Sequence, residues 1–199
     1  MTDYRREGNF EKPAGTANGI AMLALLLLLL GGLVFALLAL RAPVLAVPLG
    51  VGIVFIAAGF FMLQPNEAVA LTLFGDYSGT ERTAGLRWTW PWLIRKKLSV
   101  RTRNHNVETL KVNDKRGNPV EIAAVVVWRV EDTAQALFDV DDFENFVRVQ
   151  SESALRHVAT RYNYDYGEDH DEHEVTLRAG ADTVADALSE ELQARVQMA

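Results

Sequence analysis

A transmembrane α-helical hairpin followed by a soluble domain, with strands first and helices after, is the fold this sequence predicts. Three observations predict it. Two long uncharged runs, Ala14 to Leu40 and Ala42 to Gln64, stand back to back with only Arg41 between them. Residues 67–130 are rich in β-branched and alternating segments. After them, apolar residues recur at intervals of three and four towards the end of the chain.

Each uncharged run is long enough, as a helix, to cross about 30 Å of hydrocarbon. The expected spans are about 19–40 and 43–63, preceded by an N-terminal tail over residues 1–13. Arg41-Ala-Pro43 leaves room only for a tight turn, and Pro43 suits the first position of a helix. A cleaved signal peptide is disfavoured, because the first apolar section is too long for one and a second follows at once. Two spans put the tail and the soluble domain on the same side. Arg5, Arg6 and Lys12, with Arg82 beyond the second span, outweigh Arg41 in the turn. The positive-inside rule then expects a multi-pass protein of the cell (inner) membrane with a cytoplasmic domain. A rival reading makes the second run re-entrant, since Pro48, Gly50, Gly52 and Gly59 weaken a straight helix.

Composition removes several function classes. The net charge of −6 argues against nucleic acid as a partner. The absence of cysteine excludes disulfides, thiolate metal sites, a cysteine nucleophile and palmitoylation. Thr2 excludes N-myristoylation, so attachment rests on the helices. Residues 65–199 suffice for one ordinary domain or two small ones. The alanine-rich text, with Arg preferred to Lys, points to a bacterium with GC-rich DNA.

In the soluble part, Glu67 to Leu73 alternates as a strand should, and Gly75 to Gly79 reads as the turn that closes it. Gly85 to Ile94 holds Trp88, Trp90 and Trp92 around Pro91, followed by Arg95, Lys96 and Lys97. This segment has two readings: a loop resting on the membrane, with tryptophans at headgroup level and cations drawn to anionic lipid, or rings filling a small β core. Leu98 to Arg103 and His105 to Val112 read as strands, joined through a loop around Gly117 to a third over Val120 to Val130. The continuous apolar middle of that third strand predicts burial on both faces. A short helix is expected over Ala134 to Phe138 after Asp132-Thr133. A longer one runs from a cap at Asp141 or Asp142 to about Tyr162, with Phe143, Phe146, Val147, Ala154, Leu155 and Val158 on one stripe. A final helix is expected from near Asp182 to at least Val196. It carries no stop signal, so a natural continuation beyond Ala199 is expected.

Taken in order, Pro65-Asn-Glu-Ala-Val69, Phe74-Gly-Asp-Tyr-Ser-Gly-Thr80, Gly85-Leu-Arg-Trp88, Pro91 and Lys111-Val-Asn-Asp114 form a recognisable series. It continues through Gly117-Asn-Pro119, Val125-Val-Val-Trp-Arg-Val130, Phe138-Asp-Val140 and Gln150-Ser-Glu-Ser-Ala-Leu-Arg156. The series resembles the SPFH or band 7 family of stomatins, prohibitins, flotillins and the HflK and HflC proteins. The resemblance covers roughly residues 65–165, and more loosely the remainder. It implies an α+β SPFH domain in two lobes, here 65–118 beside the membrane and 119–199 with the start of a C-terminal helical region. Family members usually continue into a long coiled coil and assemble into closed rings or cages. This sequence departs from the pattern with two candidate spans and no coiled-coil tail.

The chemistry of the chain points away from catalysis. His170 and His173 sit in the acidic run Asp165 to Glu174, which reads more readily as a solvated loop than as a metal site. Ser153 and His157 are one helical turn apart, a spacing that cannot by itself supply triad geometry. No nucleophile elbow or phosphate-cradling loop occurs, and no catalytic, metal or cofactor residue is assigned. Ala46-x-x-x-Gly50 is compatible with helix packing or with plain lipid exposure.

Two functions remain. The favoured one is a non-enzymatic scaffold, a homo-oligomer of many subunits that encloses a membrane microdomain. Its expected lipid-contact residues are Trp88, Trp90, Trp92, Arg95, Lys96 and Lys97, and its packing residues Phe143, Phe146, Val147, Gln150 and Leu155. The second is an adaptor regulating an FtsH-like membrane protease or a channel, as the resemblance implies.

Overall fold

The computed structural model describes residues 10–38, 43–166 and 175–197. The chain divides into two compact units, residues 1–101 with 130–134, and residues 102–129 with 135–199.

In the first unit, β1 (Ala17–Asn18) leads directly into α1 (Gly19–Leu38), and α2 (Pro43–Ala58) leads into β2 (Phe60–Leu63). Asn18 caps α1, its Oδ1 accepting the Ile20 amide at 2.9 Å. The 20 residues of α1 have the length and hydropathy of a membrane span. The 16 residues of α2 reach only about 24 Å. The two helices pack against each other, with Leu29 beside Gly52. The second apolar run was expected to remain helical to residue 63. Instead it leaves the helix at Gly59, because Phe60 to Leu63 can pair along β5 (Gly85–Trp88).

That pairing builds a three-stranded sheet ordered β1-β5-β2. A second sheet is ordered β4-β3-β6, from β3 (Glu67–Leu73), β4 (Asp76–Glu81) and β6 (Ile94–Ser99). Central β3 has neighbours on both edges, and Ala68, Val69, Ala70 and Leu71 are at most 1% exposed. Val69 and Leu71 form a core with Phe61, Leu63 and Leu93, each large side chain contributing about 2 kcal/mol by burial. The turn read over Gly75 to Gly79 is shorter than expected. Phe74 and Gly75 alone make it, and β4 begins at Asp76.

In the second unit, β7 (Arg103–Asn113) and β8 (Pro119–Trp128) form an antiparallel hairpin. This moves the division between lobes from residue 118, where the sequence placed it, to residue 101. A cut at 118 would separate two hydrogen-bonded strands. Strand β8 is also not buried on both faces, for it alternates, with Val125 64% and Val127 62% exposed. The reason is that helix α4 (Phe143–Arg161) covers one face, packing Leu155 against Val107 and Leu110. Helix α4 begins at the expected cap, Asp142, whose Oδ1 accepts the amides of Glu144 and Asn145. Between β8 and α4 lies α3 (Thr133–Phe138), and α5 (Ala181–Gln197) lies against α4.

Candidate membrane-contact site

The aromatic segment after β5 is built against the end of α2. Trp88 is 7% exposed, and its indole Nε1 donates to the Ile56 carbonyl at 2.8 Å. Arg95 donates to the carbonyls of Ala58 and Phe60, both at 3.1 Å, and Lys97 donates to the Met62 carbonyl at 2.8 Å. The bonds to Ile56 and Ala58 meet carbonyls at the end of α2, where the positive charge of Arg95 suits the negative end of the helix dipole, and those to Phe60 and Met62 meet carbonyls of the edge strand β2. Burial pushes the Arg95 guanidinium below its ordinary pKa. Gly59 makes the close fit possible: a Cβ there would lie 2.2 Å from Trp88 Nε1.

Trp90 and Trp92 behave differently from Trp88. They stack on each other at 5.0 Å with an interplanar angle of 11°. Both meet Phe55 on the last turn of α2, at 6.0 and 5.7 Å. Their outer surfaces are open, Trp90 being 46% and Trp92 52% exposed. The reading in which the rings fill a small core holds for Trp88 and not for Trp90 and Trp92. Trp88 is a buried structural ring, whereas Trp90 and Trp92 form an exposed aromatic ledge at the base of an apolar helix. Lys96 is exposed on β6.

The sequence reading missed how the chain before α1 is tied in. Residues 12–14 run alongside β4: the Thr80 amide donates to the Lys12 carbonyl at 2.7 Å, and the Ala14 amide donates to Thr80 at 3.0 Å. Ala17 then pairs with Trp88 from one side while Phe60 pairs with it from the other. Glu11 takes a bidentate bond from Arg82 at 2.6 and 2.7 Å, and accepts both the amide and hydroxyl of Thr133 at 2.9 Å. Burial raises the Glu11 pKa, but these donors outweigh it and hold the carboxyl below its usual range. Glu81 is 7% exposed. Burial raises its pKa too, yet bonds from Thr16, Thr83 and Arg87 bring it down to about 2. Gly79 lies so close to the segment that a Cβ there would stand 2.8 Å from the Ala14 backbone. The only hint in the sequence was a cluster of polar residues, Glu11, Lys12 and Thr16, directly before an apolar run.

Comparison with known proteins joins these features to a family. The model of the SPFH domain / Band 7 family matches residues 61–198. The chain belongs to the SPFH/band 7 family. A relative, Protein HflK of Buchnera aphidicola subsp. Baizongia pistaciae (strain Bp), is 31% identical over 117 residues. That stretch is 55% of this chain and 26% of the relative, so the chain matches about a quarter of that protein's length. Within this SPFH chain, the matched region begins at β2, immediately after the apolar helices.

The residues expected to pack protomers lie on α4 in the second unit. Leu155 is 2% exposed and belongs to that unit's own core, which leaves none of its surface for a neighbour. Phe143 meets Trp128 edge to face at 6.1 Å, with Arg103 over both rings. Phe146, Val147 and Gln150 are half-buried, and Val149 beside them is 47% exposed. Ser153 and His157 are engaged with α5: Ser153 Oγ accepts from Arg195 at 2.9 Å, and His157 Nδ1 lies 3.0 Å from Glu191. His170 and His173 lie outside the described residues, and among the described residues no cluster of His, Asp and Glu could hold a metal ion.

Proposed function

We propose that this SPFH protein is a non-enzymatic membrane scaffold whose copies assemble side by side into a closed ring or cage around a patch of bilayer. One observation carries the reading. Strand β1, which leads into α1, and strand β2, which follows α2, are paired to the same strand, β5, beside the exposed Trp90 and Trp92. A helix pair tied at both ends to one sheet transmits the orientation of the domain to the anchor. Side-by-side packing of the domain would then set the curvature and closure of the assembly.

In this reading α1 crosses the membrane and α2 returns, which puts residues 10–18 and the SPFH domain on one face. The aromatic ledge makes up for the shortness of α2 by meeting the bilayer at headgroup level, where tryptophan is favoured. The charge count assigns that face to the cytoplasm. On α4, the surface of Phe146, Val149 and Gln150 supplies the contact between protomers. Likeness to Protein HflK favours a second reading, an adaptor that regulates an FtsH-like membrane protease.

The deciding experiment is extraction in mild detergent followed by electron cryo-microscopy. Closed many-subunit particles are expected. A monomer or small oligomer copurifying with a protease would replace the scaffold reading with the adaptor one.

A further inference from the structure

We infer that Phe74, at the tip of the β3–β4 hairpin, inserts into the bilayer interface as a second wedge beside the tryptophan ledge. The inference rests on the membrane-contact reading above and extends it to a residue outside the aromatic and basic segment.

Phe74 is 91% exposed, the most exposed large apolar side chain among the described residues. No intramolecular packing explains it. Its backbone is also unusual: φ is +51°, and Gly75 follows at +103°. With φ positive at both central positions this is a two-residue hairpin turn of the kind that Asn-Gly or Asp-Gly normally supplies. A phenylalanine there carries a steric cost, and its ring gains nothing from the folded chain in return.

The register of the sheet shows which of its ends carries Phe74. Leu73 pairs with Asp76 across the turn, while Thr72 pairs with Ile94 on the other side of β3. The tip therefore extends from the same end of the sheet as the turn over residues 91–93. Exposed apolar side chains gather at that end: Ile94 at 59%, Trp92 at 52% and Trp90 at 46%. The two tryptophans touch Phe55 in the last turn of α2, which sets this end of the sheet at the level where the apolar helix stops. Continuity with the apolar helix selects a lipid surface as the occupant. The ring then gains burial only when the domain sits on the bilayer.

The chain contains no cysteine, so single labelling sites can be introduced into it. Phe74→Cys, Trp92→Cys and Lys115→Cys would each carry an NBD fluorophore in nanodiscs of phosphatidylcholine and phosphatidylglycerol. Quenching by lipids with a nitroxide near the headgroup is then compared with quenching by aqueous iodide. Position 74 is expected to behave as position 92 does, quenched by the lipid nitroxide and losing most of the iodide quenching seen at 115. If 92 is lipid-quenched while 74 is as iodide-accessible as 115, the inference is overturned and the contact reading stands. If both are iodide-accessible, the contact reading fails and takes the inference with it. An unchanged thermal midpoint for each labelled protein in detergent shows that the fold has survived.

Discussion

Trp88 and Gly59 show how few atoms hold the anchor to the domain. The indole reaches the Ile56 carbonyl only because residue 59 has no side chain. Gly59→Ala should therefore unseat the ring and lower the thermal midpoint of detergent-solubilised protein. Trp88→Phe keeps the bulk but removes one of the two donors to the Ile56 carbonyl, which the Gly59 amide still meets at 3.1 Å, a loss of about 1 kcal/mol. Phe74 predicts the opposite sign. Phe74→Asn tolerates the positive φ and should stabilise the protein in detergent by about 1 kcal/mol, read from thermal or denaturant unfolding. In a bilayer the gain should shrink, because the ring's lipid contact is lost.

At the scale of elements, the strand-like segment before α1 is held chiefly by carboxylates. Glu81 has its pKa lowered from 4.5 to about 2 by the fold, so it contributes stability at any pH above 4.5. That contribution is lost as pH falls from 4.5 through 2, and it is on the order of 3 kcal/mol when complete. Glu11, shifted the same way, acts in the same direction. The difference in unfolding free energy between wild type and Glu81→Gln should be constant above this window and vanish towards its acid end. A difference that keeps its full size at pH 2 would disprove the assignment. In the other unit, Leu155→Ala opens a cavity between α4 and β7, and should cost about 3 kcal/mol in chemical denaturation.

For the molecule as a whole, two outcomes follow from a tethered helix pair and an open face on α4. Phe146→Glu places a charge on that face without entering the core, so large assemblies should be lost on size-exclusion chromatography while the monomer stays folded. Intact rings would move the protomer interface elsewhere. Membrane sidedness can be read from Lys115→Cys with a membrane-impermeant maleimide. Protection in intact cells and labelling after permeabilisation are the expected results, and labelling in intact cells would put the domain outside the cytoplasm.

What the sequence determined by itself is everything that depends on local order. The apolar runs, the strand at Glu67 to Leu73, a cap at Asp141 or Asp142 and the Ala154, Leu155 and Val158 part of the α4 stripe are each set by residues a few positions apart. The ordered series from Pro65 onward was likewise enough to place the chain in its family. Only the tertiary structure decided which of three neighbouring tryptophans is buried, that Phe60 to Leu63 leaves a helix for a strand, and that Glu11 belongs to the domain. The tertiary structure alone also showed that the outer face of β8 is uncovered. The physical reason is the same in each case. These outcomes depend on partners far along the chain: β5 for β2, Arg82 and Thr133 for Glu11, and a helix over one face of β8 alone. No window of sequence contains both members of such a pair.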